Sequence, residues 1–296
     1  MAEDTVAIVT GRLAPHRLSR DTARGMNQRP ASEPVAGTTV GYSDFSELLK
    51  ARGLSPAVPV SAAGAAVSAQ TQATTILAFK FAEGVLVAGD RRATSGNIMI
   101  YDRADKVIEI DRHSLMAIAG SPATAWEMAR VLSHSFQFYR RTQLQEMTVP
   151  AKVRALSKLL RDNFGMALQG VGAVVPIFAT YDFADRVPGG KLFFYDVMGA
   201  QFEAADYATT GSGSPATRGV LYHENTYGRA PLRMLDREGA IGLALRALDT
   251  AAESDTATGG LDPRGKIFPV IKLVTAAGVV SVADVAMTGA LPARNE

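Results

Sequence analysis

Thr74, Asp90, Lys106 and Gly120 have the side chains and spacing that could do covalent chemistry. A threonine hydroxyl is a poor nucleophile without a nearby base. If the peptide bond before Thr74 were cut, its own α-amino group would supply that base. A free α-amine titrates at about 7.7–8.0, close to working pH. Pairing a threonine with its own amine is a recognised way to activate the hydroxyl. The scheme needs a buried lysine to set the local charge, an acid to hold that lysine, and a backbone N–H for the developing oxyanion. Asp90, Lys106 and Gly120 supply these in order, each at the end of an expected strand. Each also has a plainer reading: Asp90 with Lys106 as a partly buried ion pair, and Gly120 as a strand-to-helix turn.

Other chemistries find less support. Cysteine is absent, which excludes disulfides, thiolate metal sites and cysteine nucleophiles and fits a reducing, cytoplasmic setting. His16, His113, His134 and His223 are scattered without metal-ligand spacing, His113 reading as a turn residue and His134 as a helix residue. Gly211-Ser212-Gly213-Ser214-Pro215-Ala216 formally fits a dinucleotide-binding pattern, but it stands late in the chain with no parallel βαβ unit around it. Net charge is only +2, from 31 basic and 29 acidic residues, which gives no footprint for nucleic acid. No run approaches the roughly 18–20 apolar residues of a membrane span. The acidic start Met1-Ala2-Glu3-Asp4 is unlike a signal peptide. The chain therefore reads as soluble and not exported.

Two regions must position these residues, and they differ in character. Residues 1–73 scatter arginines among prolines and end, from Ser55 to Ala73, in a stretch of mostly Ala, Ser, Val, Pro and Gln. Such a composition cannot bury enough surface to order itself. Within it, near 43–52, Ser43 or Asp44 could cap a short helix that puts Phe45, Leu48 and Leu49 on one face. A single short helix is marginal alone, so docking on something else is expected.

From Thr74 onward the texture is globular. Thr74–Phe79 and Gly84–Asp90 predict a hairpin around Ala82-Glu83, and Lys106–Ile110 with Leu115–Ala119 a second strand pair. Ser121-Pro122 opens a helix toward Tyr139, with Trp126, Ala129, Leu132 and Phe136 facing the core. A second helix is predicted over Pro150–Leu168 and a third over Arg237–Glu253. Strands are expected at 173–181, 191–197, 207–210, 268–275 and 279–283. Strands, two helices, strands, helices, strands is not strict βα alternation. It argues for an α+β fold, a four-layer αββα sandwich of two antiparallel sheets between helical layers.

Several motifs in register carry a resemblance. Thr74-Thr75-Ile76, Ala88-Gly89-Asp90-Arg91-Arg92-Ala93-Thr94, Lys106-Val107, Ile118-Ala119-Gly120, Gly211-Ser212-Gly213-Ser214 and Ser254-Asp255-Thr256-Ala257-Thr258-Gly259-Gly260 are similar to the proteasome β-subunit family across essentially all of 74–296. The specific part is the interval from Thr74: Asp90 is 16 on, Lys106 is 32 on and Gly120 is 46 on. The resemblance implies an N-terminal-nucleophile hydrolase fold and a threonine endopeptidase. Thr74 would be both nucleophile and, through its amine, base. Lys106 held by Asp90 would favour loss of the proton, and the Gly120 amide would bind the oxyanion. Ser212 and Asp255 would hydrogen-bond around the amine and hydroxyl. Thr258 stands where the family commonly has a serine, and it keeps the hydroxyl.

The same likeness assigns a substrate pocket to Ala93, Thr94, Ala104, Ile108, Ile118, Pro122 and Trp126. None is charged, and an apolar pocket pairs poorly with a charged side chain. Cleavage after hydrophobic residues is therefore expected, although Trp126 could equally be plain core. The likeness also implies a precursor that cuts itself at Ala73–Thr74, where the family usually has glycine before the threonine. The long pro-segment with its Phe-Ser-x-Leu-Leu helix resembles actinobacterial-type members. Implied partners are other β subunits and separate α subunits in stacked seven-membered rings, an ATP-driven regulatory ring, and unfolded protein substrates. No cofactor, metal, nucleic acid or membrane is implied. Rival readings are the simpler two-ring ATP-dependent threonine peptidase, whose chains are shorter, a non-catalytic ring-forming β subunit, and a small-molecule amidase of the same fold.

Overall fold

Strand alternation decides which layer each side chain enters. The computed structural model describes residues 45–54, 74–95, 98–262 and 267–290. Most of the expected pro-segment, including Ser43, Asp44 and Ala73, lies outside them. A short helix, α1 (Phe45–Ala51), precedes the hairpin of β1 (Thr75–Phe81) and β2 (Gly84–Gly89). A smaller hairpin follows, β3 (Ala93–Ser95) with β4 (Ile98–Tyr101), and then β5 (Val107–Asp111) with β6 (Ser114–Ala117). Two long helices come next, α2 (Pro122–Gln143) and α3 (Val149–Leu168). The chain continues through β7 (Ile177–Asp182), β8 (Gly189–Tyr195), β9 (Gln201–Glu203) and β10 (Tyr207–Gly211). It ends with α4 (Ser214–Tyr227), α5 (Arg237–Ser254), β11 (Val270–Thr275), β12 (Gly278–Ser281) and α6 (Asp284–Gly289).

The described strands form two main antiparallel sheets, β10-β1-β2-β11-β12 and β5-β6-β7-β8-β9. In β1 and β2, Ile76, Ala78, Val85 and Val87 face one way and meet Val107, Leu115, Ala117, Ile177 and Ala179 of the other sheet. Their neighbours Leu77, Phe79, Leu86 and Ala88 face the opposite way, onto Leu221 of α4 and Ala240, Leu243, Ala244, Ala247 and Leu248 of α5. The second sheet mirrors this: Met116 and Phe178 leave the inter-sheet layer for Leu132 and Phe136 of α2 and Leu156 and Leu160 of α3. Period-2 strands apolar on both faces can bury both only between two layers, so helix, sheet, sheet, helix follows directly. The four-layer αββα expectation holds.

Three details differ from the sequence reading. The strand expected from Ala173 begins at Ile177, because residues 173–175 bond the end of the β6 segment instead. Ser121 N–H donates to the Ala173 carbonyl and Val175 N–H to the Ala119 carbonyl, both at 2.9 Å. Trp126 is not core but 48% exposed. The buried stripe of α2 runs Ala125, Ala129, Leu132, Phe136, and Trp126 sits one residue, about 100°, around the helix from it. The β3–β4 hairpin was not foreseen, since its second strand exposes Ile98, Met99, Ile100 and Tyr101 and lacks alternation. α1 lies against α2, with Phe45 5.7 Å from the Phe138 ring and 6.2 Å from His134.

Leu132 is fully buried in the sheet–helix layer. Leu132→Ala is expected to cost about 2–5 kcal/mol through lost burial and the residual cavity, read from the denaturant midpoint. A change below about 0.5 kcal/mol, the scale of surface substitutions, would contradict this packing.

Candidate active site

The candidate reactive residues gather where strands of the two sheets end. Thr74 immediately precedes β1, and Asp90 follows β2, donating its N–H to the Thr75 carbonyl at 3.1 Å. Lys106 precedes β5 in the other sheet, where its carbonyl accepts Ile118 N–H at 2.9 Å. Asp90 and Lys106 thus come from different sheets and meet across the gap. Lys106 Nζ donates to Asp90 Oδ1 at 2.7 Å, and both side chains are buried.

Asp90 is held on every side. Its Oδ1 accepts from Lys106 and from Thr75 N–H at 2.8 Å. Its Oδ2 accepts from Arg92 N–H at 2.9 Å and Gly259 N–H at 3.0 Å. Lys106 also donates to the Arg92 carbonyl at 2.6 Å. Burial pulls the lysine's pKa below its usual value. The Asp90 charge and hydrogen bond oppose that pull, and Arg92 adds to it. The result is a confined ammonium that gives up its proton more readily than a surface lysine.

Gly120 has φ +107°, a left-handed conformation, and a methyl group there would overlap the Ala173 carbonyl. Only glycine is comfortable at this turn. Ser212, Asp255 and Thr258 do come together. Ser212 Oγ donates to Asp255 Oδ2 at 2.6 Å and Thr258 Oγ1 to the same oxygen at 2.5 Å. Burial works to raise the pKa of Asp255. The two hydroxyls, the Ala257 amide and the Arg92 charge outweigh it and hold the carboxyl below the ordinary range. Ser212 reaches the nucleophile candidate through its backbone, its N–H donating to the Thr74 carbonyl at 3.0 Å. Thr258 bonds Thr75 rather than Thr74, Oγ1 to Oγ1 at 2.6 Å.

A cleft of about 600 Å³ opens beside Thr74 and is lined also by Lys106 and Gly120. Of the expected pocket residues, Ala93, Ala104, Ile118, Pro122 and Trp126 line it. Thr94 and Ile108 do not. Thr94 is buried, its hydroxyl without a hydrogen-bond partner. Ile108 packs into the layer between the second sheet and α2 and α3. Ile100 and Tyr101 from the unforeseen hairpin join the lining instead, as do the charged Arg103 and Asp105. The expectation of an uncharged pocket is corrected to that extent.

The model for proteasome subunits matches residues 70–262, most of the chain. The chain belongs to the proteasome subunit family. Among relatives, a proteasome subunit beta of Streptosporangium roseum is 38% identical over 258 residues, covering 83% of this chain and 85% of its own. A proteasome subunit beta 2 of Thermomonospora curvata is 39% identical over 253 residues, covering 85% and 87%. A proteasome subunit beta of Acidimicrobium ferrooxidans is 36% identical over 241 residues, covering 81% and 85%. The chain is accordingly a proteasome β-type subunit, of a peptidase family whose members assemble into multi-subunit complexes.

Sequence reasoning overlooked several groups in this candidate site, among them the Arg92 carbonyl, the Thr75 hydroxyl and the Gly213 amide. Two of these are backbone atoms, which residue type cannot reveal. Thr75 could have been found from strand parity, since it must point to the face opposite Thr74.

Lys106 binds fewer protons folded than unfolded between its lowered folded pKa and the ordinary 10.5. Stability owed to this group therefore rises with pH across that window and is lost as pH falls through the folded value. Lys106→Met removes the contribution, so the stability gap between wild type and variant should widen from neutral pH toward 10.5 in urea titrations. A gap that stays constant or narrows would contradict the lowered pKa.

Proposed function

We propose that the chain is made as a precursor, that residues 1–73 are removed by self-cleavage at Ala73–Thr74, and that residues 74–296 then act as a threonine endopeptidase. The observation that carries this is the shared cleft: Thr74, Lys106 and Gly120 line one opening, and Lys106 is held by Asp90 behind it. While Thr74 is joined to Ala73, its nitrogen is an amide and cannot act as a base. Once freed, the amine takes the hydroxyl proton as Thr74 Oγ bonds to the scissile carbonyl carbon. The carbonyl electrons move to the oxygen, and the Gly120 amide stabilises that oxyanion. Collapse expels the leaving amine, which takes the proton, and leaves an ester on Thr74 that water hydrolyses. Lys106 favours the neutral amine by placing a positive charge nearby. Ser212, Asp255 and Thr258 fix the surroundings of residue 74.

The cleft favours an apolar residue on the acyl side of the cut bond. Ala93, Ile100, Ala104, Ile118, Pro122, Ala123 and Trp126 make up half of the residues that line it. Two of the three charges among its lining are engaged: Asp105 accepts from Val107 N–H at 2.9 Å and Lys272 Nζ at 3.3 Å, and Lys106 is bound to Asp90, whereas Arg103 is exposed and 3.9 Å from Asp102. A charged substrate side chain seated against the apolar part of the wall would be desolvated without compensation. The working form is a ring assembly with α subunits, fed with unfolded chains by an ATP-driven ring in the cytoplasm. Among the described residues, no helix is long and apolar enough to cross a membrane.

Co-expression with an α subunit and intact mass measurement should show a chain beginning at Thr74, whereas Thr74→Ala should keep residue 1 and lose peptide turnover. A processed Thr74→Ala subunit would refute self-cleavage. Across fluorogenic peptides, turnover after Tyr or Leu should exceed that after Arg or Glu by at least about ten-fold, a lower bound, since even an unpaired buried polar group costs about 1–3 kcal/mol. Equal or reversed rates would refute the pocket assignment.

A further inference from the structure

The first two residues of the mature strand face opposite ways. Thr74 lines the cleft, and Thr75 is fully buried on the other face. The Thr75 amide donates to Asp90 Oδ1, the same oxygen that binds Lys106. Its hydroxyl accepts from Gly213 N–H at 2.9 Å and lies 2.6 Å from the Thr258 hydroxyl. The direction of that last bond follows from proton counting. Asp255 is an acceptor when ionised, so Thr258 spends its one proton on it, and Thr75 must be the donor to Thr258. The bonds run one way: Gly213 amide to Thr75, Thr75 to Thr258, Thr258 to Asp255.

The path then closes on itself. Ser212 donates its hydroxyl to the same Asp255 oxygen and its amide to the Thr74 carbonyl, and Gly213 is the next residue along the chain. Residues 74–75, 212–213, 255 and 258 form a ring of hydrogen bonds and chain links that passes through the first strand's hidden face by the Thr75 hydroxyl. The space is tight: a methyl at Gly213 would lie 2.5 Å from Thr75 Oγ1 and 2.7 Å from Thr258 Oγ1. Nothing larger than glycine can bring that amide to Thr75.

We propose that Thr75 is a positioning residue for the reaction: its hydroxyl orients Thr258 and Asp255, and through them Ser212, against Thr74. It touches neither substrate nor the reacting atoms. The inference rests on Thr74 being the nucleophile. Without the Thr75 hydroxyl, Thr258 loses the donor that sets its orientation and Gly213 N–H is left unpaired in a buried place. Ser212 is then free to drift from residue 74, so the reacting geometry loosens while the substrate cleft on the other face is untouched.

The test compares Thr75→Val, which keeps the shape, with Thr75→Ser, which keeps the hydroxyl, both co-expressed with an α subunit. Intact mass, thermal midpoint, kcat and KM are read for each, with Thr74→Ala in parallel. The valine variant should lose about ten-fold or more in kcat with KM within about two-fold, and the serine variant should stay within about two-fold of wild type in both. Wild-type kcat in the valine variant overturns the proposal, as does a serine variant as slow as valine, which would show that the hydroxyl alone does not hold the site. If the valine variant fails to assemble, Thr258→Val breaks the same path from its far side and must show the same loss of kcat at constant KM. An active Thr74→Ala would instead overturn the nucleophile assignment, whatever the Thr75 variants do.

Discussion

The buried pair of Lys106 and Asp90 is the interaction on which the rest of the site depends. It joins two sheets that meet mainly through apolar side chains, and both of its charges are buried, unlike the half-exposed Lys272–Glu109 pair that also crosses between them. Taking two charges out of water costs several kcal/mol per ion, so such a pair is seldom a net source of stability. It persists here because the carboxylate accepts four donors and the ammonium has a second acceptor in the Arg92 carbonyl. What the arrangement yields is placement. The cation is held in the wall of the cleft that Thr74 also lines, and the same burial that makes it costly lowers its pKa.

The layering was legible in the sequence because strands buried on both faces leave an unmistakable apolar run, as at Ile76–Phe79 and Val85–Ala88. The helix stripe at Leu132 and Phe136 was legible for the same reason. Trp126 was misplaced because composition does not distinguish an aromatic over a cleft from one in a core, and only its offset from the Ala125–Ala129–Leu132 row decides. The β3–β4 hairpin was invisible since β4 is apolar yet exposed, a pattern that alternation rules do not cover. At the candidate site, Asp90, Lys106 and Gly120, which spacing singled out, do gather in or behind one cleft, but Thr94 and Ile108 show the limit of spacing. A residue in register with a pocket can still lie beneath the wall or turn toward the next layer. Charge at the cleft was missed for a related reason, because Arg103 and Asp105 enter it from the segment just before β5.

Strand period explains why one chain end can serve two purposes. Adjacent residues of a strand point to opposite faces. A reactive side chain at the first position therefore has a neighbour directed into the layer behind it, where α4 and α5 begin and end. Gly213 is the residue before α4, and Asp255 follows α5. Gly213 reaches Thr75 directly and Asp255 reaches it through Thr258, so the layer that stabilises the sheet also supplies the polar groups that fix its edge.

None of these contacts uses the bond between residues 73 and 74. The Thr74 group they engage is its carbonyl, and the groups of residue 75 are its amide and hydroxyl. The contacts that Asp90, Ser212 and Thr258 make with residues 74 and 75 therefore need no free amine at residue 74. On the proposed reading, cleavage has no geometry left to create around Lys106 or Asp255. It changes one nitrogen from an amide, whose lone pair is delocalised into a carbonyl, to an amine that can accept a proton. Activation is then a change of basicity inside a frame already built, and the ordering of that frame belongs to folding rather than to the cut.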